Sequence, residues 1–146
     1  MNIDKELITR KISLIQDDLE KLSELAKFDF EEIVSDFVKQ AALERILERI
    51  IIRAIDINQH IISNYSAEIK TSPSSFKETF DYLAKIGILP VEFAENISKS
   101  IGLRNKLVHE YEDIDEKTVY NSLKDCLIDY KKYCDYILSF IDKEEE

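Results

Sequence analysis

Four side chains able to act on a phosphate diester crowd into one short stretch, RNKLVHEY, residues 104–111. Arg104 carries a guanidinium fork that stays charged and matches the oxygens of a phosphate. His109 is one of two histidines in the chain, and imidazole exchanges protons near neutrality. Asn105 lies four residues before His109, so on a helix its amide can orient the imidazole. Arg104 and His109 are five apart, about 140° round a helix at ~100° per residue. One ideal helix does not set them side by side. Either the long arginine curls toward the imidazole, or the same residues of a second copy complete the site across a twofold axis. Tyr111 returns to the face of Arg104 if the helix continues, and stands at the lip if it ends at His109.

The chemistry this set suits is cleavage of an RNA phosphodiester. One group must take a proton from the 2′-hydroxyl and another must protonate the leaving oxygen; histidine can do either. Positive charge must meet the non-bridging oxygens as the pentacoordinate state forms, which is the work of a guanidinium. No metal is required, no metal-ligand cluster is visible, and no cofactor is expected. Each residue alone has a structural explanation, because cations and amides favour the carbonyl end of a helix. All four in this order favour chemistry.

A second polar group runs along an earlier helix: Arg45, Arg49, Arg53, Asp56 and His60. Asp56 and His60 are spaced to pair. Arg53 and His60 are candidates for substrate contact, as a phosphate-facing wall of the cleft. An ion-paired or solvated face is the favoured reading, as for most charge stripes.

The elements that must position these residues read as helices. The chain has 146 residues, 45% hydrophobic and 34% charged, with two glycines and two prolines. So few turn residues disfavour a sandwich or barrel. Apolar residues at Ile8, Ile12, Ile15, Leu19, Leu22 and Ala26 mark a first helix over roughly residues 4–27. A second, roughly 31–65, carries Leu43, Leu47, Ile50, Ala54, Ile57, Ile61 and Tyr65. Ile51, Ile55 and Ile62 add a parallel stripe, so this helix should be buried against several neighbours, one of them expected to be another subunit. Its first turns, Glu31 to Val38, are expected to bend or to form a short separate helix.

Ser72 and Pro73 read as the cap and first residue of a third helix bearing Phe76, Phe80 and Leu83 and ending at Gly87. Pro90 opens a fourth with Phe93, Ala94, Ile97 and Ile101, in which Gly102 marks a close backbone approach or a bend. Asp113 and Glu116 have capping-box spacing before a last helix bearing Val119, Leu123, Cys126, Tyr130, Tyr133, Ile137 and Phe140. Tyr130 and Tyr133 fall on its apolar stripe, as core or dimer interface. The expectation is an all-α, single-domain antiparallel bundle of about five helices spanning residues 1–146.

A formal net charge of −10 argues against broad electrostatic binding of nucleic acid, while leaving room for a local basic site. The start, MNIDKELITRKISL, has no signal-type apolar core, and no run approaches ~18 uninterrupted apolar residues. A cytoplasmic protein without a membrane association is expected. Cys126 and Cys134, roughly 12 Å apart along a helix, are too distant for a disulfide and read as reduced core residues.

Arg104, Asn105, three residues, His109, one residue and Tyr111 resemble the signature of the HEPN superfamily, in its HepT-like branch. The resemblance covers the helical order and nearly the whole chain. It implies a homodimeric, metal-independent ribonuclease toxin encoded beside a minimal nucleotidyltransferase antitoxin of MntA type. It further implies that Arg104 and His109 are the catalytic pair, that Asn105 supports them, and that Tyr111 receives AMP from the antitoxin. The alternative is a non-catalytic helical module that binds nucleotide or supports a partner nucleotidyltransferase, with Arg104 gripping a phosphate.

Overall fold

In this computed structural model, which describes residues 3–65, 73–109 and 115–144, Asp4 opens the first helix. Its carboxylate accepts from the Leu7 amide at 3.0 Å, meeting one of the amides that a helix start leaves unpaired. Helix α1 (Lys5–Leu25) then buries Ile8, Ile12, Ile15, Leu19 and Leu22. Asp29 and Glu32 form a reciprocal capping box that starts α2 (Phe30–Val34). The chain breaks at Ser35 and Asp36, where the Asp36 carboxylate accepts from the amides of Val38 and Lys39. That side chain begins α3 (Phe37–Tyr65), so the short separate helix at the head of the second segment is present.

Helix α3 is the central rod and packs against α1, α2, α4, α6 and α7. Both of its apolar stripes are covered within one chain: Ile51, Ile55 and Ile62 are as buried as Leu47 and Ile57. A second subunit is not needed to cover either stripe. The neighbouring helices of the same chain already exclude water from both.

Helix α4 (Phe76–Lys85) starts later than the sequence suggested. Its cap is Ser75, whose Oγ accepts from the Glu78 amide at 3.2 Å, while Glu78 accepts from both the amide and the hydroxyl of Ser74. Pro73 thus precedes the helix; Ser72 lies outside the described residues. The other end is as expected. Gly87 takes φ +84, a conformation that costs glycine little. Its amide donates to Ala84 O, and that of Ile88 to Leu83 O at 2.9 Å. Together these make a Schellman closure with buried Leu83 under buried Ile88.

Pro90 leads into α5 (Val91–Ile97), which is separated from α6 (Ser100–His109). One expected helix is therefore two. At the junction the backbone tightens to three-residue bonds, Lys99 N to Asn96 O, Ile101 N to Ser98 O and Gly102 N to Lys99 O, while Ser98 Oγ donates to Glu95 O at 2.8 Å and Ser100 Oγ to Ile97 O at 2.7 Å. Gly102 is not a point of close approach, since a Cβ there would meet nothing within 4 Å. Helix α7 (Glu116–Glu144) is capped by Asp115, which accepts from the Lys117 amide and the Thr118 hydroxyl; Asp113 lies outside the described residues. Its stripe runs through Val119, Leu123, Cys126, Tyr130, Tyr133 and Ile137, ending on buried Ile141 where Phe140 was expected.

The class is all-α, with seven helices among the described residues where about five were expected. No helix among them is long and apolar enough to cross a membrane.

Candidate active site

Arg104, Asn105 and His109 ride on α6, and buried hydroxyls fix where that helix begins. Ser100 has a single proton and gives it to Ile97 O. Its contact with the Tyr130 hydroxyl, at 2.6 Å, must therefore be donated by Tyr130. Burial holds the tyrosine pKa well above its usual range, so that proton stays. Ile101, Leu103 and Leu107 plant α6 on the core.

From this base Arg104 projects toward α4. Its Cζ lies 5.4 Å from the centre of the Phe76 ring, within cation–π range. One Nη donates to Asn105 Oδ1 over a long 3.4 Å. Its Nε is buried without a hydrogen-bond partner. Among the described residues no carboxylate pairs with it, whereas Arg45, Arg49 and Arg53 each have one. A half-exposed guanidinium resting on a ring, with no carboxylate partner among the described residues, can offer its fork to an anion.

Phe76 was expected on an apolar stripe but is 38% exposed. Its place is fixed from behind. The Tyr133 hydroxyl donates to Asn58 Oδ1 at 2.6 Å, Asn58 Nδ2 to Thr79 Oγ1 at 3.1 Å, and Thr79 Oγ1 to Phe76 O at 2.6 Å. This buried relay runs from α7 through α3 to the first turn of α4. Its tyrosine and asparagine are fully buried, and such networks are costly to leave incomplete. Sequence reasoning missed it. A detectable signal was Asn58, a polar residue beside Ile57 between two apolar stripes.

Asn105 is exposed on α6. His109 closes the backbone of that helix, one turn beyond Asn105. The His109 side chain and the whole of Tyr111 lie outside the described residues. Beside Arg104 a groove of about 760 Å³ separates the start of α4 from the start of α6, and Asn105 is on its wall.

The polar stripe of α3 faces α1. Arg53 Nη1 lies 2.6 Å from Asp18 Oδ2, and Arg49 Nη2 lies 3.1 Å from Oδ1 without hydrogen-bond alignment. Asp56 pairs with Lys11 at 3.5 Å. His60 accepts the Asp4 amide on Nε2 at 3.1 Å. The ion-paired reading fits this geometry: Arg53 and His60 are engaged with the first helix and its cap, and Asp56 with Lys11 rather than His60. Asp18 itself is fully buried. Sequence reasoning missed it; the available signal was its spacing, since Ile15, Asp18 and Leu22 share one face of α1. Cys126 and Cys134 are buried, free thiols, and desolvation pushes both up to about 12.

Residues 15–137 match the family model described as ribonuclease HepT-like. This chain belongs to the HepT-like ribonuclease family. A tRNA nuclease HepT from Aphanizomenon flos-aquae is 37% identical over 145 residues, spanning 99% of this chain and 97% of that one. The mRNA nuclease HepT of Shewanella oneidensis is 26% identical over 132 residues, 90% of this chain and 96% of that protein. The solved tri-AMPylated Shewanella oneidensis HEPN toxin, in complex with MNT antitoxin, overlays with a TM-score of 0.81 at 26% identity. That overlay covers 95% of this chain and 99% of the toxin. As a HepT-like ribonuclease the chain is an enzyme, in line with the chemistry read from its motif. The HEPN resemblance stands at the level of both sequence and fold.

Proposed function

We propose that this HepT-like ribonuclease is the toxin of a toxin–antitoxin pair and that it cleaves RNA at a site built from Arg104 and His109. The observation that carries the reading is the guanidinium of Arg104, paired with no carboxylate among the described residues and held on Phe76 beside an open groove. His109 moves the proton, between the 2′-hydroxyl and imidazole or between imidazole and the leaving oxygen. The 2′-oxygen attacks the phosphorus, the bond to the 5′-oxygen breaks, and Arg104 meets the charge on the non-bridging oxygens. Asn105 supports the imidazole from one turn away.

The stabilising charge comes from arginine, so the reaction proceeds without a metal. Arg104 and His109 stand about 140° apart around α6, which favours a homodimer in which two copies of the motif share one cleft. The partner is a minimal nucleotidyltransferase of MntA type. It transfers AMP to Tyr111, adding a negative phosphate at the mouth of the site and repelling the phosphate of an incoming strand. The setting is the cytoplasm, and residues 1–146 act as one helical domain.

The test is RNA degradation by purified protein in excess chelator. Wild type should degrade RNA. Arg104→Ala and His109→Ala should not, while keeping the helical circular dichroism of the parent. Undiminished cleavage by both variants overturns the assignment. Intact mass after coexpression with the nucleotidyltransferase should show an AMP-sized increment that Tyr111→Phe abolishes.

A further inference from the structure

The groove between α4 and α6 differs in charge from the rest of the molecule. The chain has 30 acidic residues against 20 basic ones. Yet among the described residues lining this groove none is acidic, and Lys77 and Lys99 both face it. Glu78 stands close by, but its carboxylate is occupied by the amide and hydroxyl of Ser74. The wall includes an exposed aromatic ring, Phe76, backed by the buried relay from Tyr133. The floor at Gly102 is open, with nothing within 4 Å of where a Cβ would sit. Lys77 and Lys99 also border the adjacent cavity, which holds Glu78, Asp81 and Glu95. Within the groove itself an exposed ring beside two cations suits a nucleotide of a single strand, since every base has a face that stacks and lysines neutralise phosphates.

We infer that this groove seats the nucleotide next to the scissile phosphate, with Phe76 stacking its base while Lys77 and Lys99 take the two phosphates that follow. The inference rests on the ribonuclease site proposed at Arg104 and His109, and it adds the substrate contacts flanking that site. Arg104 joins the two, because its guanidinium lies against the same ring that receives the base. A stack of guanidinium, ring and base places the reacting phosphate by way of its neighbour. The preference it confers is for unpaired RNA, since a base held in a duplex cannot turn onto the ring.

The probe is a short single-stranded RNA that carries a 2′-O-methyl group at the reacting position, with 2-aminopurine at one nucleotide after another. Binding to the full-length protein is followed by anisotropy and by quenching of the reporter base. One reporter position should be quenched in wild type and in Phe76→Tyr. In Phe76→Leu that quenching should be lost, with binding weakened about tenfold. Lys77→Gln combined with Lys99→Gln should make the plot of log affinity against log salt shallower by roughly 1.4, the share of two phosphates on a single strand. His109→Ala should retain the quenching and the affinity.

Unchanged quenching and affinity in Phe76→Leu, together with an unchanged salt slope in the double lysine variant, would overturn the groove assignment. So would variants that alter self-association or antitoxin binding while leaving RNA binding intact. Failure of the catalytic reading shows separately, as cleavage of unmodified RNA by His109→Ala.

Discussion

Replacing Asp18 with asparagine should lower stability more than any other single-charge change on α1. The carboxylate is fully buried between α1 and α3 and is approached by Arg53 at 2.6 Å and Arg49 at 3.1 Å. An amide of the same shape keeps one acceptor for Arg53 but turns donors toward Arg49, leaving two guanidinium groups with no counter-charge. Breaking a buried pair by removing one partner costs about 3–5 kcal/mol. Here the arginine side chains retain 21% and 34% exposure, so water recovers part of their solvation. The cost falls to about 2–3 kcal/mol. With a urea dependence of ~2 kcal/mol per molar, the unfolding midpoint should drop by about 1–1.5 M. The measurement is urea unfolding by circular dichroism at one fixed protein concentration, because self-association would add to stability. Asp17→Asn, at the exposed neighbour, is the control and should stay within about 0.5 kcal/mol of the parent. If Asp18→Asn and Asp17→Asn gave the same midpoint, the buried ion cluster would not hold α1 to α3.

Gly102→Ala should stabilise the protein by about 0.4–1 kcal/mol, since the position is helical and exposed with room for a methyl group; a lower unfolding midpoint would contradict that geometry. Neither Cys126 nor Cys134 should react with a maleimide at neutral pH, because burial raises both thiols to about 12; labelling should appear only with denaturant, and rapid native labelling would contradict the packing of α7. Acid should loosen the starts of α3, α4 and α7. The Lys39 ammonium holds Asp36 below its ordinary 3.8, the Ser74 amide holds Glu78 below 4.5, and the Thr118 hydroxyl holds Asp115 below 3.8. Carboxylates lowered in the folded state stabilise it above their unfolded values, and that contribution disappears as pH falls through the folded ones. Protection of the amides in those first turns, relative to their intrinsic exchange, should fall as pH drops below the ordinary carboxylate values of 4.5 and 3.8, less so for α7 in Asp115→Asn, whose cap no longer titrates; an identical pH profile in that variant would refute the assignment.

Much of the fold was legible because four-three spacing of apolar residues states which face of a helix is dry. The stripes of α1, α3 and α7 name their buried residues almost one for one. What escaped was set by hydroxyls and carboxylates whose partners are distant in sequence or whose local bonds compete with the helix. Nothing in FAENISKSIGL says that the backbone will tighten between α5 and α6, because its serines sit equally well in a straight helix. Asp18 looks like half of a solvated acidic pair until its register with Ile15 and Leu22 is counted. At the candidate site, the residue types were readable and the support was not. Phe76 fits an apolar stripe by spacing, and only the late start of α4 at Ser75 turns it outward beneath Arg104.

Helix α6 is held at its root by the Tyr130 hydroxyl on Ser100 and along its inner face by Ile101, Leu103 and Leu107. Arg104 sits four residues out, about 6 Å along the axis. A tilt of roughly 10° at the root would carry its Cα sideways by about 1 Å, a misplacement of the kind that costs a reaction about a hundredfold. The Tyr130 hydroxyl, deep in the interior, is thus one of several buried contacts through which the core sets the reach of Arg104.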